Sequence, residues 1–379
     1  MEEPIRILHV LGGVGLGGAE SRIMDLYRCI DRGKIQFDFL VHQSGPGYYE
    51  EEIQALGGRI YRVPRFRLYN FVQYRKALRT FFVGHHEFQA VHGHMTSTAA
   101  LYLPIAKSCG IPMTIAHARS AGVDKGIKGV VTRLLRLPLR KKCDYMLACS
   151  VPAAEAVFGK KNALAGNVKI VPNAIDAGAF RFCEEMRTKM RETLSLEGKF
   201  VVGHVGRFHY AKNHEYLLEV FAQIAKKWDN AVLLLLGEGE RMEEMKQRAA
   251  ALGIAGKVRF CGNQKETWKY YQAMDFFVFP SRFEGLPGTV IEAQSAGLRC
   301  LISDTITREC IVTELAVSQS ITDAPAVWAD YVVTHGEYER TDRYEQVQAA
   351  GFDVQKQAGW YERFYLNRGA DRGKDMENR

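Results

Sequence analysis

The stretch FPSRFEGLPGTVIEAQSAG, Phe279 to Gly297, decides how the chain is read. It opens on the end of an apolar run, FFVFPS, with the spacing of a buried strand, and turns outward through Ser281 to Glu284. Pro287 suits a first helical position, TVIEAQSAG continues as a helix, and Gly297 is a stop signal. The backbone around Gly285, Leu286, Pro287, Gly288 and Thr289, through the N–H groups of its non-proline residues, then meets an anion at the helix mouth. Two carboxylates flank that mouth, Glu284 before it and Glu292 inside the helix. A simple anion would be repelled by them, so the pattern calls for a ligand with hydroxyls as well as negative charge. A diphosphate with a sugar on one side and a ribose on the other meets that description. Either glutamate alone would pass as a solvated helix acid; it is their combination with the turn that points to a ligand.

Outward from this block, short β-rich runs alternate with helical patterns, the signature of parallel sheets wound by crossover helices. The first series is IRILHVL, FDFLVH, RIYRV, AVHGH, MTIAHA, YMLACS and VKIVP; after a polar stretch the second is FVVGHVG, AVLLLLG, VRFCG, FFVFPS and RCLISD. The fold class is therefore α/β, with two αβ units in tandem and a boundary near Pro172 to Ala179. Domains are expected over 1–174 and 175–352. A last segment over 353–379 carries Trp360, Tyr361, Phe364 and Tyr365 at helical spacing, which suits a helix returning to the first domain, followed by a fraying polar end.

At 379 residues, two cores of ordinary size are expected. With 47% hydrophobic and 25% charged residues, and no apolar run of the roughly 20 residues a membrane helix needs, the composition is that of a soluble protein. MEEPIRILHVLGG does not resemble a secretory signal. Eight cysteines form no CxxC pair, which suggests reduced thiols in the cytosol and offers no cysteine metal centre. His92 and His94 make an HxH pair without a third spaced ligand, so no metal is expected there.

Three other segments carry chemistry. Gly13, Gly15 and Gly18 match GxGxxG between a strand and a helix, a phosphate-approach motif that a plain tight turn imitates equally. A dinucleotide enzyme would also place an acid at the far end of the second strand; Asp38 lies too early and His42 stands at that end, which argues against an NAD-dependent oxidoreductase. In GHVGRFHYAKN, Arg207 and Lys212 follow a strand and precede a helix, a placement suited to a diphosphate.

The blocks GRFHYAKN, LLLLGEGE, PNAID and YYQAMDFFVFPSRFEGLPGTVIEAQSAG resemble the signatures of glycosyltransferase family 4, retaining enzymes of the GT-B fold, and Glu284 with Glu292 corresponds to its E-x7-E motif. The resemblance covers most of the chain from Gly12 and fades beyond Ile302, while VHGHMTSTAALYL with TIAHARSAG is most similar to transferases of capsular and exopolysaccharide assembly. It implies two facing Rossmann-like domains, the first binding the acceptor and the second a nucleotide-diphosphate sugar, with a UDP-sugar the default donor. By position it implies that Arg207 and Lys212 hold the diphosphate, Glu292 the ribose and Glu284 the transferred hexosyl or N-acetylhexosaminyl unit. Phe260 to Gln264, including Asn263, would receive the base; His117 would lie near the sugar, with His94 a second candidate, and Gly17 and Gly18 would face donor phosphates or acceptor.

No Asp-x-Asp triplet occurs, so transfer is expected to need no metal or other cofactor, with the fixed cations and the helix mouth stabilising the departing diphosphate. Front-face attack is the expected route to retention, because no carboxylate is placed as a nucleophile. Residues 1–174 hold 24 Lys+Arg against 13 Asp+Glu. Within them, KGIKGVVTRLLRLPLRKK reads as a basic amphipathic helix broken near Pro138, suited to an anionic membrane surface or to an ordinary core with solvated cations. Expected partners are thus the donor, a glycan or lipid-linked acceptor and the inner membrane face; the basic runs accompany no nucleic-acid motif. The non-enzymatic alternative is a nucleotide-sugar-binding protein without turnover.

Overall fold

The computed structural model describes residues 3–120, 122 and 126–369, without the side chains of residues 126–128. Lys125, Lys128 and the tail expected to fray beyond residue 369 thus fall outside the described residues or side chains. The chain divides into two compact units, residues 1–174 with 354–379, and residues 175–353.

Unit 1 is built on a parallel sheet of β1 (Ile5–Leu11), β2 (Ile35–Val41), β3 (Ile60–Arg62), β4 (Phe88–Gly93), β5 (Met113–Ala118), β6 (Tyr145–Ala148) and β7 (Val168–Ile170). Their order is β3-β2-β1-β4-β5-β6-β7. Every residue of β2 and of β5 is buried, as both faces of a doubly wound sheet require. One face packs Ile7, Phe37 and Ile115 under the helices Gly18–Cys29 and Val354–Leu366; the other packs Leu8, Val91 and Ala116 under Tyr74, Leu78 and Tyr102. Trp360, Tyr361, Phe364 and Tyr365 belong to the first of these cores, so the last helix closes unit 1 although it follows unit 2 in the chain. Asp38 lies mid-strand with no exposed side-chain surface, gripped by Arg6 through two bonds of 2.6 Å and by the Arg59 N–H at 2.7 Å. Its role is to hold the sheet.

Unit 2 repeats the plan with β8 (Phe200–Val205), β9 (Ala231–Leu236), β10 (Val258–Phe260), β11 (Phe276–Phe279), β12 (Arg299–Ser303) and β13 (Ala316–Gln319), ordered β10-β9-β8-β11-β12-β13. Strand β13 has no counterpart among the expected strands. It is a short edge strand, AVSQ, with Val317 37% exposed, and carries no alternation strong enough to announce it. The basic segment forms the helix Gly126–Arg136 and then a 3-10 turn, Leu139–Lys141, capped by Pro138. Leu139 is fully buried rather than displayed among the cations.

Both cores contain histidines that burial holds neutral. Desolvation first, and Arg119 second, lowers His9 to about 3; desolvation lowers His204 to about 3 and His214 to about 2, and takes His92, His94 and His117 well below the ordinary value. The unfolded chain binds protons at these rings below pH ~6.5 while the folded chain does not. Stability is therefore complete above that pH and falls as pH drops toward 3, each ring withdrawing about 1.4 kcal/mol per pH unit. Urea midpoints measured from pH 7.5 to 5 are expected to fall steeply below pH 6.5; a flat profile would contradict neutral burial.

Candidate active site

In unit 2 the strand order reverses between β8 and β11, the switch point at which open α/β sheets take ligands. From β8 the chain runs through Gly206 and Arg207 to a 3-10 turn, Tyr210–Lys212. From β11 it runs through Pro280 and Ser281 to Glu284 and the helix Gly288–Ser295. A Cβ on Gly206 would lie 3.1 Å from Cδ and Cε of Lys212, so the lysine stem runs close along the strand exit. Asn213, at φ 56°, donates from Nδ2 to the Pro280 carbonyl at 3.1 Å and ties the lysine turn to the other exit. Lys212 Nζ then stands 2.7 Å from Glu284 Oε1 and 4.7 Å from the centre of the Phe279 ring. It is a charge contact rather than an aligned hydrogen bond, since Glu284 Oε1 has no hydrogen-bond partner among the described residues.

Pro287 is the N-cap rather than the first helical residue, and its extended ψ of 101° makes the helix begin one residue later than expected, at Gly288. Gly297 ends the helix at φ 70°, with Leu298 N–H on the Ala293 carbonyl and Gly297 N–H on that of Gln294, both at 2.9 Å. Glu292 is only 5% exposed, and its Oε2 accepts from the Tyr271 hydroxyl at 3.0 Å. The two glutamates thus differ in kind: one pairs with a lysine at the mouth, the other is sunk in the helix. Ser281 Oγ, Thr289 Oγ1 and Asn213 Oδ1 are also buried here without a hydrogen-bond partner among the described residues. Each such atom costs about 1–3 kcal/mol, which a ligand rich in hydroxyls and phosphate oxygens would recover.

Arg207 departs from the expected convergence of two cations. It is 72% exposed on its side chain and pairs with Glu240 at 3.3 Å. The expected base segment leaves β10 beside the LGEGE loop, where Gly237 N–H donates to the Gly262 carbonyl at 2.8 Å. A Cβ on Gly237 would lie 2.3 Å from the Gly206 carbonyl oxygen, so only glycine lets this loop approach the β8 exit. Asn263 Nδ2 donates to Glu238 Oε2 at 3.0 Å, Gln264 Nε2 donates to the Cys261 carbonyl, and the Phe260 ring packs tilted against that of Phe208 with ring centres 5.8 Å apart.

In unit 1 the order reverses between β1 and β4. The glycine loop leaves β1 there, with Gly17 as N-cap and Gly18 as the first residue of the helix Gly18–Cys29. Glu20 folds back over it: a Cβ on Gly17 would lie 2.0 Å from Glu20 Oε2. An anion arriving at Gly17 or Gly18 would meet that carboxylate, which favours a hydroxyl-bearing group over a phosphate. Glu20 lies three residues after the N-cap, the spacing of a capping box, a signal available in the sequence.

Beside this loop four histidines share one sheet face. The Tyr365 hydroxyl, fully buried, lies 2.6 Å from His92 Nδ1 and has no other hydrogen-bond partner among the described residues, so donating there is the arrangement that keeps its O–H from being buried unsatisfied. His92 Nε2 then carries hydrogen and donates to His117 Nδ1 at 3.0 Å, leaving His117 an N–H at Nε2 that is buried and unpartnered. Arg119 Nε donates to His94 Nδ1 at 3.2 Å, and His94 Nε2 donates to His9 Nδ1 at 3.0 Å. His94 is thus engaged on both ring nitrogens, whereas His117 keeps Nε2 without a partner among the described residues. Ring nitrogens of His9, His92 and His94 come within 4.8 Å of one another, but the Arg119 guanidinium on His94 opposes a cation there.

Known proteins resemble the chain along its length. The description Glycosyltransferase Family 4 matches residues 16–178, and Glycosyl transferases group 1 matches residues 185–328. EpsF of Bacillus subtilis, a protein assigned as a glycosyltransferase, is 32% identical over 93% of this chain and 94% of its own. A UDP-Gal:α-D-GlcNAc-diphosphoundecaprenol α-1,3-galactosyltransferase of Escherichia coli is 23% identical over 81% of both chains. Among solved structures, HepE of Anabaena in complex with UDP and glucose superposes with a TM-score of 0.72 at 17% identity, covering 96% of this chain and 97% of its own. Two parallel-sheet units of matching order, and a relative alike almost end to end, show that this chain belongs to glycosyltransferase family 4 and has the GT-B fold.

Proposed function

We propose that this glycosyltransferase moves a hexosyl or N-acetylhexosaminyl unit from a UDP-sugar to a glycan or lipid-linked acceptor in capsular or exopolysaccharide assembly, with retention of configuration and without a metal. The observation that carries this reading is the Lys212–Glu284 contact at the mouth of the helix Gly288–Ser295, with Glu292 sunk behind it. The UDP complex of HepE and the name of the E. coli relative support the UDP-sugar donor and a lipid-linked acceptor.

In this mechanism the donor diphosphate lies at the helix mouth and shares the Lys212 ammonium with Glu284. As the bond from the sugar carbon to the diphosphate oxygen breaks, negative charge grows on the leaving group. Lys212 and the helix N–H groups meet that charge in place, with Arg207 adding a cation once it swings from Glu240. The acceptor hydroxyl attacks the face the diphosphate leaves, and its proton passes to the departing phosphate oxygen. Glu292, oriented by Tyr271, accepts from the ribose hydroxyls; Glu284 accepts from a sugar hydroxyl, and His117 Nε2 offers its N–H to substrate. No helix among the described residues is long and apolar enough to cross a membrane. The basic helix Gly126–Arg136, with Val130 53% and Leu134 60% exposed, suits an anionic inner membrane face where lipid-linked acceptors reside.

Lys212→Ala is expected to lower kcat/KM about 10²–10³-fold, the size of a lost charge-stabilising donor. Glu292→Gln is expected to weaken UDP binding about tenfold or more in calorimetry, with folding intact. Wild-type rates for both variants would refute the site. Turnover is expected to persist in excess EDTA; activity lost on chelation and restored only by a divalent ion would refute the metal-free mechanism.

A further inference from the structure

The crossover after β3 leaves the C-terminal edge of unit 1 at Arg62, forms a 3-10 turn at Leu68–Asn70 and enters the helix Phe71–Gly84. That helix buries Tyr74, Leu78 and Phe82, so its opposite face meets solvent. The exposed face is not polar. Leu68 is 66% exposed, Tyr69 82%, Val72 76% and Val83 54%. Interleaved with them are Arg65, Arg67, Arg75, Lys76 and Arg79, all exposed, and none forms an ion pair among the described residues. No acid occurs between Glu52 and Glu87 to balance them. Val72, Lys76, Arg79 and Val83 follow at steps of four, three and four, one line along the helix. A cavity of about 490 Å³ adjoins this face, lined by the cations Arg62 and Lys76 and by Val63, Pro64 and Phe81 among others.

Cations without an ion pair among the described residues, two of them, Arg67 and Arg75, lying over the Tyr69 and Phe71 rings, alternate with exposed aliphatic side chains, an arrangement poorly served by water or by a polyanion. A polyanion satisfies the charges and leaves Leu68, Val72 and Val83 wet. An anionic bilayer interface satisfies both. The basic helix Gly126–Arg136 leaves the same sheet edge after β5, and strands β2, β1 and β4 separate β3 from β5. At about 4.8 Å per strand the two crossovers start roughly 19 Å apart, with the glycine loop and His94 leaving the sheet between them.

We infer that the C-terminal edge of unit 1 docks on an anionic bilayer through two prongs, the tip around Leu68, Tyr69 and Val72 and the helix Gly126–Arg136, so that acceptor reaches the glycine loop from the membrane plane. What the docking serves rests on the proposed function; the docking itself does not.

The test is cosedimentation of the full chain with phosphatidylglycerol-containing vesicles and with pure phosphatidylcholine vesicles. The wild type is expected to bind the first and not the second, with binding lost in high salt. A triple variant, L68E with Y69E and V72E, is expected to bind at least tenfold more weakly while keeping the wild-type circular-dichroism spectrum and thermal melting profile, which report that unit 1 is folded. In Y69W, fluorescence is expected to shift to the blue on adding anionic vesicles. Unchanged binding by the triple variant, equal binding to neutral vesicles, tighter binding to duplex DNA than to vesicles, or no vesicle binding by the wild type would each overturn the inference. Vesicle binding that survives while the wild type fails to bind UDP or transfer sugar would sink the proposed function and leave the docking in place.

Discussion

A lysine and a glutamate, Lys212 and Glu284, meet at 2.7 Å where two strands of a parallel sheet diverge. The rest of unit 2 is arranged so that they can. Neither group belongs to the strand or helix that frames the crevice; both ride on turns. Turns hold position only when something else fixes them. Here Asn213 fixes one by reaching the Pro280 carbonyl, and the bare backbone of Gly206 lets the lysine stem lie against the strand exit. The pairing also answers an energetic problem: a partly buried ammonium beside unpartnered oxygens would be costly alone, and a carboxylate within reach keeps the unliganded site tolerable. It leaves the lysine with hydrogens to share, so a diphosphate can join the pair without first displacing it.

The same strand plan, reversed at its centre, occurs in both units, yet their edges are furnished for different chemistry. In unit 2 the helix mouth at Gly288 is open and a lysine stands before it. In unit 1 the corresponding mouth at Gly17 is covered by Glu20, and the neighbouring strands display neutral imidazoles, one of them, His94, already engaged by the Arg119 guanidinium. An open mouth with an ammonium suits phosphate; a covered mouth with neutral donors and a carboxylate suits hydroxyls. The division of labour follows from which charges the backbone ends are left to face.

How much of this was legible in the sequence depended on how local the cause is. The strand, turn and helix around Glu284 and the stop at Gly297 all arise within one crossover, and the reading of their backbone differs from the structure only in Pro287, a cap instead of a first helical residue; the burial of Glu292 against Tyr271 is not written in that segment. Asp38 could be set aside as a ribose ligand from its place in the strand, although its true partner, Arg6, lies 32 residues away. The histidines were harder: the tautomer of His117 is set through His92 by Tyr365, 273 residues from His92 and on a helix that follows the whole of unit 2. Tyr271 reads as core and is also the orienting donor to Glu292. Arg207 looked like a fixed cation because its neighbours in sequence are; only its exposure and its pairing with Glu240 show otherwise. Leu139 sits among cations and is nevertheless buried, because the chain turns at Pro138.

The central claim, that Glu284 and a nucleotide diphosphate share one lysine, is tested most directly by titrating UDP calorimetrically into the wild type, E284Q, K212M and the double variant. Removing the carboxylate frees the ammonium and removes a repelling charge, so UDP affinity is expected to rise several-fold in E284Q, and that gain is expected to shrink in the K212M background by a coupling of about 1 kcal/mol or more. A loss of UDP affinity in E284Q, or an equal gain with and without the lysine, would contradict the account.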